Sequence, residues 1–135
     1  MIRCYSELIR LPTFEERYEY LKLSGVVGES TFGFDRYINQ VFYRSAKWRK
    51  ARDQVIIRDA GCDLAMLGYE ILDRIIVHHM NPISLSDIEE EADWIFDPEY
   101  LICVSHRTHE AIHFGDANLL PKLYAPRQPG DTTLW

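Results

Sequence analysis

Apolar positions along this chain come in short blocks whose period switches between helix and strand. The first clear period follows Pro12. Phe14, Tyr18 and Leu21 fall at i, i+4 and i+7, and Thr13 with Glu16 has capping-box spacing, so a helix is predicted there, stopped by Gly25 and Gly28. Ahead of it, Ile2, Leu8, Ile9 and Leu11 add apolar surface without a period. Thr31 to Phe34 reads as an aromatic loop, and Asp35 to about Phe42 as a short second helix. Ser45 then caps a long helix through about Arg58, with Trp48, Ala51 and Val55 turned inward. Asp59-Ala60-Gly61 is a turn. Cys62 to Leu67 reads as a strand or bend, and Tyr69 to Leu72 as a strand between Gly68 and Asp73.

Further along, Ile75-Ile76-Val77 is a β-branched run that predicts a buried strand and delivers His78 and His79 at its end. Ser84 to Phe96 predicts a helix, with Ser86 and Glu89 at capping-box spacing and Ile88, Ala92 and Ile95 on its apolar side. Asp97-Pro98-Glu99 turns the chain into a second short strand, Leu101 to Val104. Thr108 to His113 opens a helix that Gly115 stops. Beyond it, Pro121, Pro126, Pro129 and Gly130 forbid a helical period, so an extended tail is expected, gripping the body through Leu119, Leu120, Leu123, Tyr124, Leu134 and Trp135. The expected architecture is α+β, a mostly helical single domain. Residues 1–40 form an N-terminal helical extension, 41–115 the core and 116–135 the tail.

Length and composition agree with that reading. A chain of 135 residues that is 47% hydrophobic can bury a core without staples. Cys4, Cys62 and Cys103 have no framework spacing and read as reduced, buried thiols of a cytoplasmic protein. No apolar run approaches the ~18–20 residues of a membrane span, and no signal peptide is read at the start. The net charge of −6 is unevenly spread. Between Arg44 and Arg58 six basic residues face Asp53 alone, a local balance of +5. A basic face on an acidic body is compatible with one-sided contact to nucleic acid, and Arg44, Lys47, Arg49, Lys50 and Arg52 are the candidate contacts.

The chemistry is concentrated in one window. All five histidines lie between Ile75 and His113. Neighbours on a strand point to opposite faces, which suits His78 and His79 to two different jobs. His109 and His113 stand one helical turn apart on one face and can grip one ion together. His106 lies three residues earlier, in the expected strand-to-helix turn. Glu89-Glu90-Glu91 is not a rival site, because adjacent helical residues fan out by ~100° and cannot converge on one ion. Arg74 and Arg107 flank the histidines and could clamp phosphate.

Strand, loop, strand and helix, with His78-His79 on the first strand and His109-x-x-x-His113 on the helix, resembles the HNH nuclease family, most closely its colicin-type, all-histidine ββα-metal variant. Pro82 matches the proline that follows the paired histidines in many members. Phe42-Tyr43-x-Ser45-x-x-Trp48-x-x-x-Arg52, followed by Arg58-Asp59, resembles the lead-in of small phage-encoded HNH proteins, so the likeness covers roughly residues 40–115. It implies a metal-dependent endonuclease that hydrolyses DNA phosphodiester bonds, with His78, His109 and His113 as ligands and His79 as general base; Arg74 joins His79 as a catalytic candidate only because it flanks the histidines in sequence. One divalent ion is expected; imidazole ligands suit Zn²⁺, Ni²⁺, Mn²⁺ or Co²⁺ better than Mg²⁺. The implied partners are double-stranded DNA and a phage terminase or packaging machinery, in the host cytoplasm and away from membranes.

Two departures stand out. Tyr100 occupies the place of the family's middle Asn, and with His106 it is read as a supporting residue around the ligands. Many relatives also hold a structural zinc on two Cys-x-x-Cys pairs, whereas the matching places here are Cys62 with Ala65 and Ser105 with Thr108. One cysteine cannot hold a tetrahedral zinc, so that corner must be closed by ordinary packing. Two further readings stay open: an inactive ββα-metal module that binds DNA or a packaging partner, and a zinc site that serves only the fold.

Overall fold

The computed structural model describes residues 2–23 and 36–121, with the side chains of 36–39 left aside. The expected loop at Thr31 to Phe34, the glycine stops at Gly25 and Gly28 and the tail beyond residue 121 lie outside the described residues. At the centre are two short antiparallel strands, β1 (Ile76–His79) and β2 (Leu101–Val104), paired from Ile76 opposite Val104 to His79 opposite Leu101. The Met80 amide extends the ladder by donating to Tyr100 O at 3.1 Å.

Alternation along β1 sorts its side chains between two cores. Val77 joins Leu101 and Cys103 in a cluster with Trp48, Ala51 and Val55. These last three lie on the helix Ala46–Asp59, here α4. On the opposite face Ile102 and Val104 pack with Ile112, Leu8, Leu21 and Leu23, and Ile76 packs against them. Ile112 belongs to the helix His106–Phe114, here α6. The sheet is thus a partition between α4 and α6. The remaining helices are α1 (Tyr5–Leu8), α2 (Phe14–Leu21), α3 (Arg36–Arg44) and α5 (Leu85–Glu89), with 3-10 turns at Asp93–Phe96, Pro98–Tyr100 and Ala117–Leu119. This is an α+β chain with a two-stranded sheet, and among the described residues no helix is long and apolar enough to cross a membrane.

Capping explains the helix starts. Ser45 and Ser105 each accept a backbone N–H three residues on, from Trp48 and Thr108. Thr13 accepts from Glu16 N as its spacing predicts. The reciprocal capping box forms at Ser84 with Asp87 rather than at Ser86 with Glu89: Ser84 Oγ accepts from Asp87 N at 3.2 Å and Asp87 Oδ2 accepts from Ser84 N at 2.9 Å. That helix is correspondingly shorter than expected, and Ile95 is buried from a separate 3-10 turn. The strand expected at Tyr69 to Leu72 is absent; only an isolated bridge links Cys62 and Glu70.

What stands in for a third strand is a set of groups from residues 58–64 along the outer edge of β2. Arg58 donates to Leu101 O at 2.6 Å, Asp59 accepts from Cys103 N at 2.8 Å, Leu64 N donates to Cys103 O at 3.0 Å, and Asp63 accepts from Ser105 N at 3.1 Å. Edge groups that would otherwise be unpaired are thereby satisfied. Asp63, fully buried, also accepts from Ala65 N, Met66 N and Thr108 Oγ1. One carboxylate with four donors therefore joins the loop, β2 and the start of α6 at the corner formed by Ala65, Ser105 and Thr108.

Candidate metal centre

His78 projects from β1 toward α6, where His109 and His113 lie on the facing side of the helix. One ligand nitrogen from each of the three falls within 4.8 Å of the others, and among the described residues no other group of three such ligands meets that test. The rings stand 5.1 Å apart for His78–His109 and His78–His113, and 4.3 Å for His109–His113. The Nε2 atoms of His109 and His113 are 2.9 Å apart. Imidazole nitrogens sharing an ion at ~2 Å stand roughly 3.3 Å from each other, so small rotations would bring this trio onto one cation.

Two observations test whether these residues fit an ion. His78 Nε2 is buried and has no hydrogen-bond partner, a costly state for a polar nitrogen unless something binds it. Burial, reinforced by the mutual repulsion of neighbouring imidazoles, also holds His78 well below the usual histidine range and His109 down at about 4. Burial lowers His113 as well. All three are therefore neutral at physiological pH, the form that ligates metals. The donor set and its protonation fit a divalent cation of the imidazole-preferring kind.

His79 goes the other way, into an aromatic slot on the α4 side. Its ring lies against Trp48, 5.0 Å between centroids and 20° between planes, with Phe42 at 6.1 Å and Trp94 edge-on at 6.4 Å. Ile95 O lies 2.9 Å from Nε2. A carbonyl only accepts, so this contact puts the ring proton on Nε2 and leaves the lone pair on Nδ1. Burial pushes the His79 pKa down to about 4. Sequence spacing separated the two histidines by face; it did not reveal the Ile95 carbonyl or the ring stack.

His78, His79, His109 and His113 all line one cleft of about 820 Å³. Arg74 and His106 line it too; His106 is the first residue of α6, not part of a turn, and pairs with Glu110 at 3.1 Å. Tyr100 packs edge-on at 6.3 Å against Trp94, the ring that itself meets His79 edge-on. Tyr100 is not part of the cleft wall. Of the expected DNA contacts only Arg52 reaches the cleft. Arg44, Arg49 and Lys50 are exposed elsewhere, and Lys47 pairs with Glu91 at 3.1 Å. Arg58, counted in the basic face, turns inward to Pro98 O, Leu101 O and Asp59, with the Tyr5 ring 3.7 Å away.

Asn81, which carried no assignment in the sequence, pairs with the backbone of Arg3. Its Oδ1 accepts from Arg3 N and its Nδ2 donates to Arg3 O, both at 2.8 Å. This ties the N-terminal segment to the end of β1 beside the cleft. Gly115 ends α6 at φ 68°, where a Cβ would approach Leu23 O to 2.8 Å. Leu23 N in turn donates to Ile112 O at 2.9 Å, so only glycine allows this close approach. Comparison of the chain with protein-family models, curated proteins and solved structures finds no match.

Proposed function

We propose that this chain is a metal-dependent endonuclease of the HNH kind, hydrolysing DNA phosphodiester bonds, with nicking in phage genome processing or packaging as its setting. The observation that carries the reading is the division of labour between adjacent histidines. His78 meets His109 and His113 around a shared centre, while His79, on the same cleft, is held apart by Ile95 O and Trp48. His78, His109 and His113 would hold the ion. A divalent cation there would offset negative charge on the scissile phosphate and the leaving 3′-oxygen.

The chain's own groups do the rest. His79 keeps its proton on Nε2 and presents Nδ1 as the acceptor for a proton from water, the general-base role. Trp48 and Phe42 fix its ring plane, so the acceptor direction is preset. Arg74, in the cleft wall, would hold the phosphate.

A second reading is favoured by one observation. At a pKa of about 4, His79 is a weak base at neutral pH, which suits a site that holds an ion and DNA without turnover. Supercoiled plasmid separates the two. Wild type should convert it to open circle in at least one of Mn²⁺, Ni²⁺, Zn²⁺ or Mg²⁺, and not in chelator. His79→Ala should still bind metal yet lose nicking by about 10²-fold or more. Plasmid left supercoiled by wild type in every metal would sink the catalytic reading.

A further inference from the structure

The lead-in motif contains two residues that the chemistry above does not use, Tyr43 and Arg52. Ser45 explains why they sit where they do: its hydroxyl donates to Phe42 O at 2.7 Å and accepts from Trp48 N at 3.2 Å, fixing the corner between α3 and α4. Phe42 and Trp48, both buried and 5.3 Å apart, then form the wall behind His79. Tyr43 lies at the outer end of that wall. Its ring meets Phe42 edge-on at 5.0 Å and Trp48 edge-on at 5.4 Å, and it remains 36% exposed. Arg52, one helical turn beyond Trp48, lines the same cleft as Tyr43 and the histidines. Its ion pair with Asp53 is long, at 3.6 Å, and solvent-exposed, so it leaves the guanidinium available.

A partly exposed ring held by perpendicular neighbours, sharing one cleft with an available guanidinium, offers the two things a nucleotide needs: a surface for its base to stack on and a partner for its phosphate. A base within a duplex has both faces already stacked, so a wall ring can receive it only when it is unstacked. The geometry points to a nucleotide subsite formed by Tyr43 and Arg52, which favours a DNA strand that is single-stranded or locally unpaired next to the scissile phosphate. The subsite rests on the phosphodiester reading for its purpose, but it can be tested without turnover.

The test is fluorescence anisotropy in chelator with a labelled single-stranded 12-mer and the same sequence as duplex. Wild type should bind the single strand more tightly than the duplex. Tyr43→Ala should weaken single-strand binding about tenfold while changing duplex binding little, and Tyr43→Phe should bind like wild type. Arg52→Gln should weaken binding and reduce the salt slope by about 0.7. Thermal melting of each variant establishes that it is folded. The subsite is overturned if wild type prefers duplex or binds neither probe, if Tyr43→Ala binds like wild type, or if Phe fails to restore what Ala loses. A protein that binds the strand but never nicks plasmid would end the nuclease reading and leave the subsite standing; nicking with no strand preference would do the reverse.

Discussion

His78 and His79 are identical side chains that the pleat of β1 sends into different chemistry. His78 enters a cluster of like groups with a buried, unpartnered nitrogen; His79 enters a slot of aromatic rings with a carbonyl at its back. Both are neutral because burial penalises the charged form. The sign of the pH effect follows. The folded pKa lies below the unfolded value of 6.5, so between about 4 and 6.5 the unfolded chain binds more protons, and stability falls as pH drops through that window. For His79 alone the shift is worth on the order of 3 kcal/mol. Urea unfolding in chelator should therefore show stability rising from pH 4 to 6.5, with a shallower rise in His79→Phe. A flat profile in wild type would contradict the assignment.

At the scale of elements, the support of β2 comes from side chains rather than from a third strand. Asp63 accepts hydrogen bonds from Ala65 N, Met66 N, Ser105 N and Thr108 Oγ1. Removing the carboxylate strands several buried donors, each costing about 1–3 kcal/mol. Asp63→Ala should thus lower unfolding stability by roughly 3 kcal/mol or more, measured by denaturant titration; a loss below ~1 kcal/mol would show that the corner is held by packing alone. Nothing local announces Asp63, because its partners at Ser105 and Thr108 are more than forty positions away and no period links them. By contrast β1, β2, α4 and α6 were legible from β-branched runs, helical spacing and caps, which act within a few residues. Two serines stand at capping-box distance from an acid at the start of α5, and the helix takes the earlier pair, Ser84 with Asp87. Tyr69 to Leu72 has strand composition, yet the neighbouring edge of β2 is already occupied by residues 58–64, so the composition finds no ladder to join.

Across the whole molecule, the sheet acts as a divider that places ligands on one side and the base on the other, with one cleft reaching both. The grouping of His78 with His109 and His113 was foreseeable from spacing and the family resemblance. The inward turn of Arg58 was not, since it depends on which neighbours the fold supplies. Of the five candidates on the basic face, Arg52 alone reaches the cleft. The proposed hydrolysis depends on β1 and α6 sharing one ion. Calorimetric titration of metal-free protein with Zn²⁺, Ni²⁺ and Mn²⁺ measures that directly. The account predicts saturable binding of one ion per chain for at least one of these metals, lost in His78→Ala and in His109→Ala and kept in His79→Ala. The absence of saturable binding by wild type, or undiminished binding in His78→Ala and His109→Ala, would contradict it.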